Sequence, residues 1–182
     1  MVEFAIAVPL LMLLLMGIID FGVNFGNRVE TTHAAREGAR AGSVNRVGTV
    51  DTCPIVPSGT LAVETRRLIC LTKARTHMDP NAVAVKIMYM GRNAKLTTDF
   101  SAATAATNPY SLVVCVSSKA YSLTGMLSGV LDGRFHHMRS VVKTGKPASG
   151  VFVPAGQEQP MTSGGVTDSW SWCTADDPVG SE

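Results

Sequence analysis

A chain of 182 residues has room for one domain with appendages rather than two full domains, and 46% hydrophobic residues exclude a disordered chain. The formal net charge of +2 hides an asymmetry: all 16 Lys and Arg fall in residues 1–150, while residues 151–182 carry Glu158, Asp168, Asp176, Asp177 and Glu182 and no base. The bases are scattered and aromatics make up only 6%, so the basic stripe with interleaved aromatics that nucleic acid requires is missing.

The chain opens with VEFAIAVPLLMLLLMGIIDFG, in which Phe4 to Ile19 are uncharged and contain one helix breaker, Pro9. As a helix these sixteen residues rise about 24 Å, slightly short of the ~30 Å hydrocarbon core of a bilayer, and Phe21, Val23 and Phe25 extend the run on part of the surface. A cleaved secretory signal needs a basic start and a small-residue cleavage site. Here the pattern continues through NFGNRVETTHAAREGARAG, which reads as helix. One continuous helix is therefore expected over residues 1–43, greasy all round at first and amphipathic afterwards, with a kink at Pro9. Gly17, Gly22 and Gly26 thin one side of it, and Gly22 and Gly26 have the spacing that lets helices approach closely. Asp20 ends the apolar run and is expected at the level of the lipid headgroups. Arg36 and Arg40 share a face, and Glu37 is within reach of His33 and Arg40. Glu3 is cheap near the end of a span. It would cost at least ~2.5–3.5 kcal/mol at mid-bilayer, and if buried in a bundle of helices it would need a cation, such as a neighbour's α-amino group.

Residues 44–59, with Gly48, Pro54, Pro57 and Gly59, read as a linker. Residues 60–145 read as a small α+β head. Leu61–Thr76 is expected as a helix with Leu61, Thr65, Leu68, Ile69 and Thr72 on one side, Glu64 in its first turn, and Lys73 and Arg75 complementing the dipole in its last. Val83, Val85, Ile87 and Tyr89 alternate with Ala84, Lys86 and Met88, as in a half-buried strand; Leu112, Val114 and Val116 form a second such face. Between them, residues 93–109 read as a polar hairpin loop or insertion. Ser122–Leu131 is expected as a short amphipathic helix, and Phe135–Thr144 as a third strand with Met138 and Val142 inward. Residues 146–182 form a Pro- and Gly-rich acidic tail that is either solvated or folded back on basic neighbours. Its sticky island, Trp170 to Cys173, reads as an added edge strand or an ordered patch in a mobile tail.

Cys53, Cys70, Cys115 and Cys173 include no C-x-x-C pair, so a zinc ribbon or thioredoxin-like site is not suggested. An even number behind a membrane segment suits disulfides in an exported domain; four buried thiols are the alternative. Of three possible pairings, Cys53–Cys70 with Cys115–Cys173 is favoured, because it staples linker to helix and tail to sheet. His136 and His137 are adjacent and face opposite sides of a strand, so they cannot chelate one metal together; either one with His77 is the remaining metal option. Neither a G-x-S-x-G nor a phosphate-binding loop appears, and no catalytic residue, metal site or cofactor is assigned.

Val2–Gly22 followed by AAREGARAG (Ala34–Gly42) resembles the TadE-like pseudopilins of the tight-adherence (Tad) pilus, a branch of the type IV pilin group. The resemblance implies a pilin-like α+β fold, with a long N-terminal hydrophobic helix packed on a small antiparallel head containing a second helix. It implies a minor pilin or pseudopilin in the bacterial plasma membrane, single-pass, head on the extracytoplasmic side, and possibly in the extracellular pilus. Its assembly residues would be Glu3, Phe4, Pro9, Gly17, Asp20, Gly22, Gly26, Arg36, Glu37 and Arg40. Expected partners are other pilin and pseudopilin subunits, the inner-membrane assembly platform, the lipid bilayer and, if a leader precedes Met1, a prepilin peptidase. The rival readings are a signal-anchored extracytoplasmic binding protein outside any filament and an anchored hydrolase or metal-binding domain.

Overall fold

The computed structural model describes residues 2–44, 61–90, 96–97, 111–144 and 153–174. Cys53, residues 45–60 of the linker region, the 93–109 insertion apart from Leu96–Thr97, and the acids Asp176, Asp177 and Glu182 lie outside the described residues, as does the side chain of Glu3.

Helix α1 runs unbroken over Val2–Ser43 with Pro9 inside it. Its last third is built of small residues, with Ala34, Ala35 and Ala39 fully buried. Helix α2, Val63–Ala74, lies against it. A β-carbon on Gly38 would collide with Thr72, and one on Gly42 would sit 2.5 Å from Leu112 and 2.7 Å from Leu68. Gly38 meeting Thr72 while Gly42 meets Leu68 makes the two helices antiparallel, and only glycine allows so close an approach at either point.

The head sheet is antiparallel. β1 (Val83–Met90) pairs with β3 (Ser111–Lys119), which pairs with β4 (Phe135–Lys143); the outer edge of β1 is shared by β2 (Leu96–Thr97) and β5 (Gly156–Gln157). On one face Val83, Val85, Ile87 and Tyr89, with Leu112, Val114 and Val116, pack on Ala35 and Ala39 of α1 and Leu68 and Ile69 of α2; Met138 and Val142 join them. The long N-terminal helix and the small antiparallel sheet thus form the expected α+β fold.

β1 and β3 are not half-buried, however. Ala84, Met88, Val113 and Cys115 form a second core on the opposite face with Met161, Trp170 and Cys173. The tail supplies this cover. It begins on the helix side, where Thr65 and Tyr89 donate hydroxyl hydrogen bonds to the carbonyls of Pro154 and Val153. It passes the β1 edge as β5, then crosses the far face through a small hairpin, β6 (Thr162–Ser163) and β7 (Val166–Thr167), to a turn of helix at Ser171–Thr174. Trp170 to Cys173 is therefore not an edge strand. Cys115 in the middle of β3 holds Cys173 on the sheet's face, among Ala84, Met88 and Val113, through a disulfide with a Cα–Cα distance of 6.0 Å. Cys70 is disulfide-bonded as well.

One more expectation is corrected, and one residue gains an unforeseen partner. Ser122–Leu131 is a loop with only Ser128–Leu131 helical; its first residues are held by Asp20 of α1, and Leu127 N–H turns back to the Ser122 hydroxyl. Lys73 stands in the last turn of α2, as expected, but its side chain is buried. Its ammonium lies 2.7 Å from Glu158 of the tail and donates to the Pro80 carbonyl at 3.1 Å.

β4 carries the adjacent histidines on opposite faces. His137 lies on the tail side, stacked on Trp172 with ring centroids 4.4 Å apart and bonded to Asp168 at 3.0 Å. His136 lies on the helix side. Burial, with smaller contributions from Arg28 and His137, holds its ring below the ordinary value of 6.5. The fold therefore favours neutral His136. The stability it contributes is complete above 6.5 and is lost as pH falls through the lowered folded value. Acidification from about pH 7.5 to pH 5 should lower the melting temperature, and His136→Gln should narrow that gap; equal gaps in both proteins would assign the acid sensitivity elsewhere.

Candidate assembly helix and its polar joint to the head

Every large side chain described between Phe4 and Ile19 is exposed, from Phe4 at 77% to Met16 at 39%. A contiguous apolar surface of this extent does not stay bare in water. The helix that carries it is, over Ile6–Ser43, long and apolar enough to cross a membrane. Pro9 lies within this bare stretch. Gly22 and Gly26 also face open space, with nothing within 4 Å of where a β-carbon would stand, and so does Gly17. The G-x-x-x-G surface is thus unpacked in the single chain, on the side of α1 away from the head.

The head side of α1 is different. Asp20, Asn24, Asn27 and Thr31 recur at three- and four-residue intervals and are all buried, so they form one seam against the head. Asp20, at the end of the apolar run, is fully buried against the head. Its Oδ1 accepts the backbone N–H groups of Leu123 and Thr124, each at 2.9 Å, and its Oδ2 accepts the hydroxyls of Ser122 and Thr124. Asn24 donates to the Tyr121 carbonyl at 2.9 Å, and the Thr31 and Ser118 hydroxyls lie 2.9 Å apart. The joint between rod and head is therefore a ladder of directional polar contacts rather than a greasy interface. Asp20→Ala would leave two backbone donors and two hydroxyls without their acceptor. Hydrogen exchange at Leu123 and Thr124 should accelerate strongly while β3 and β4 stay protected; unchanged exchange at both amides would refute the cap.

The upper charges of α1 take no part in this seam. Arg36 and Arg40 are exposed. Glu37 pairs with Arg75 of α2 at 4.0 Å rather than with His33 or Arg40, and both partners are so exposed that the pair adds little stability. Glu37, Arg40, Leu71 and Arg75 line a shallow groove between the two helices.

Asn24, Asn27, Thr31, Ser122 and Thr124 were not anticipated from the sequence. The signal available was the spacing 20, 24, 27, 31, a polar stripe with the periodicity of a helix face.

The remaining cluster of reactive groups is Ser117, Asp168 and His137. Asp168 sits in the middle, taking the Ser117 hydroxyl on Oδ2 and the His137 ring on Oδ1. Ser117 is fully buried and does not reach the imidazole, so this arrangement clamps the tail to the sheet rather than activating a nucleophile. Among the described residues no three His, Cys, Asp or Glu side chains are grouped to hold a metal.

These features define a class: an α+β head carried on one end of a helix long and apolar enough to cross a membrane, whose other end is a bare apolar rod. The model of the TadE-like protein family matches residues 1–40, the rod, the joint and most of the seam, which is the segment that carries the resemblance in sequence. No curated protein and no solved structure matches the chain.

Proposed function

We propose that this chain is a non-catalytic pilin-like subunit, a minor pilin or pseudopilin, needed for assembly or initiation of a Tad-type pilus. The observation that carries the reading is the rod Phe4–Ile19, bare on all sides and joined to a folded head by a polar seam. The family match over residues 1–40 supports association with a Tad pilus.

In this reading the rod rests in the plasma membrane as a single span, with the head on the extracytoplasmic side. The inner-membrane assembly platform brings it among the helices of other pilin and pseudopilin subunits. There its apolar surface is covered again, and Gly22 and Gly26, open in the single chain, allow a neighbouring helix to approach closely. Leaving lipid for a bundle exchanges one apolar environment for another, so the transfer is reversible in energy and is decided by specific contacts. Glu3 provides such a contact: buried among helices it requires a cation, and the α-amino group of a neighbour fixes the axial register.

The experiment is Glu3→Ala in cells that assemble the pilus. Membrane insertion should be unaffected while incorporation and piliation are lost; piliation at the normal level would overturn the register role.

A further inference from the structure

The loop between β3 and β4 leaves the sheet and descends along α1. Ser118 meets Thr31, the Tyr121 carbonyl meets Asn24, and Leu123 and Thr124 meet Asp20. Those contacts step down eleven residues of helix, about 16 Å at 1.5 Å per residue. The loop tip is thereby pinned level with the first residue after the apolar run. Its neck is closed by the Ala120 N–H donating to the Arg134 carbonyl at 3.0 Å, and Leu127 N–H folds back onto the Ser122 hydroxyl.

Four of the side chains that this lobe exposes are large and apolar. Leu123 is 62% exposed, Val130 64%, Met126 44% and Tyr121 42%. A loop whose only task was to cap Asp20 would need Ser122 and Thr124 but none of these four. Phe21 and Phe25, stacked with centroids 6.4 Å apart, carry the bare surface of the helix past the end of the rod. The order of chemistry along the lobe is that of a bilayer interface: Leu, Met and Val in the outer part, Tyr121 at the neck, and the cations Lys119 and Arg134 bracketing it, with Asp132 the one acid between them.

We propose that residues 120–134 form a second membrane contact, a lobe that rests in the headgroup layer beside the span and inserts Leu123, Met126 and Val130 toward the acyl chains. The proposal rests on the reading of the rod as a membrane span. Because Asp20 fixes the lobe to the end of the rod, the lobe reaches the interface whenever the rod is in lipid, and its apolar surface is continuous in level with the span. Lipid is therefore the occupant. The contact gives the head a defined tilt on the membrane and shields Asp20 from the acyl chains.

The test uses the full chain reconstituted in vesicles of phosphatidylethanolamine and phosphatidylglycerol. Photoreactive benzoylphenylalanine is placed singly at Leu123, at Val130, at Leu11 in the rod, and at Val63 at the far end of the head. Adducts are read by intact mass after illumination. Lipid adducts are expected at Leu11, Leu123 and Val130 and not at Val63. Lipid adducts at Leu11 with none at either lobe position, or adducts there only to a second copy of the chain, would overturn the lobe and leave the span standing. Absence of lipid adducts at Leu11 as well would overturn both.

Discussion

Lys73→Met lowers the stability of the head by about 3–5 kcal/mol, the cost of stranding one member of a buried ion pair. The pair is almost sealed, with Lys73 3% and Glu158 6% exposed. Glu158 accepts the Val85 N–H at 2.9 Å on its second oxygen, and its own N–H donates to the Val85 carbonyl at 3.1 Å. It therefore holds α2, β1 and the tail together at the point where the tail rounds the sheet edge. Removing the ammonium leaves a desolvated carboxylate at that pivot. The unfolding midpoint in denaturant, followed by the fluorescence of Trp170 and Trp172, measures the loss. Lys73→Met combined with Glu158→Leu should recover much of it, because a buried pair replaced on both sides by apolar groups is often tolerated. A single substitution with no effect would show that the pair is open to water.

The second large effect belongs to the tail's far anchor. Replacing Cys115 and Cys173 together by Ala should cost about 4 kcal/mol, the chain-entropy value for a bridge with a sequence separation of 58. The consequence is local as well as global. Met88 and Val113 are nearly or fully buried, and without the bridge the tail is held over them by Met161, Trp170 and Trp172 and by the bonds of Asp168 to Ser117 and His137. Hydrogen exchange should rise first in residues 161–174, before β3 and β4 lose protection. Substitution is the right tool here, because a reductant would also open the bond at Cys70. An unchanged unfolding midpoint with intact tail protection would contradict the anchoring role.

Both effects lie where the sequence was least legible. The rod, the continuous α1 and the helix-facing side of the sheet could be read from periodicity, and Val83, Val85, Ile87 and Tyr89 occupy the core as their alternation requires. The opposite face was misjudged although a signal was present. Leu112 to Val116 is an unbroken apolar run, the pattern of a strand buried on both sides. The cover for that second side comes from a Pro- and Gly-rich tail with no periodicity, so no pattern announced it. Lys73 and Asp20 were read from local position, one as a dipole partner and one as a headgroup-level charge. Their actual partners, Glu158 and the residues 122–124, are distant in sequence, and only the fold brings them together. The register role proposed for Glu3 concerns contacts between subunits.

The central claim is that the apolar rod moves from lipid into a bundle of like helices. Benzoylphenylalanine at Ile18, on the side of α1 that carries Gly22, reports on this directly in cells that build the pilus. With the assembly platform removed, adducts should form with lipid; with it present, adducts should shift to pilin-type subunits. Lipid adducts alone in fully piliated cells would contradict the account.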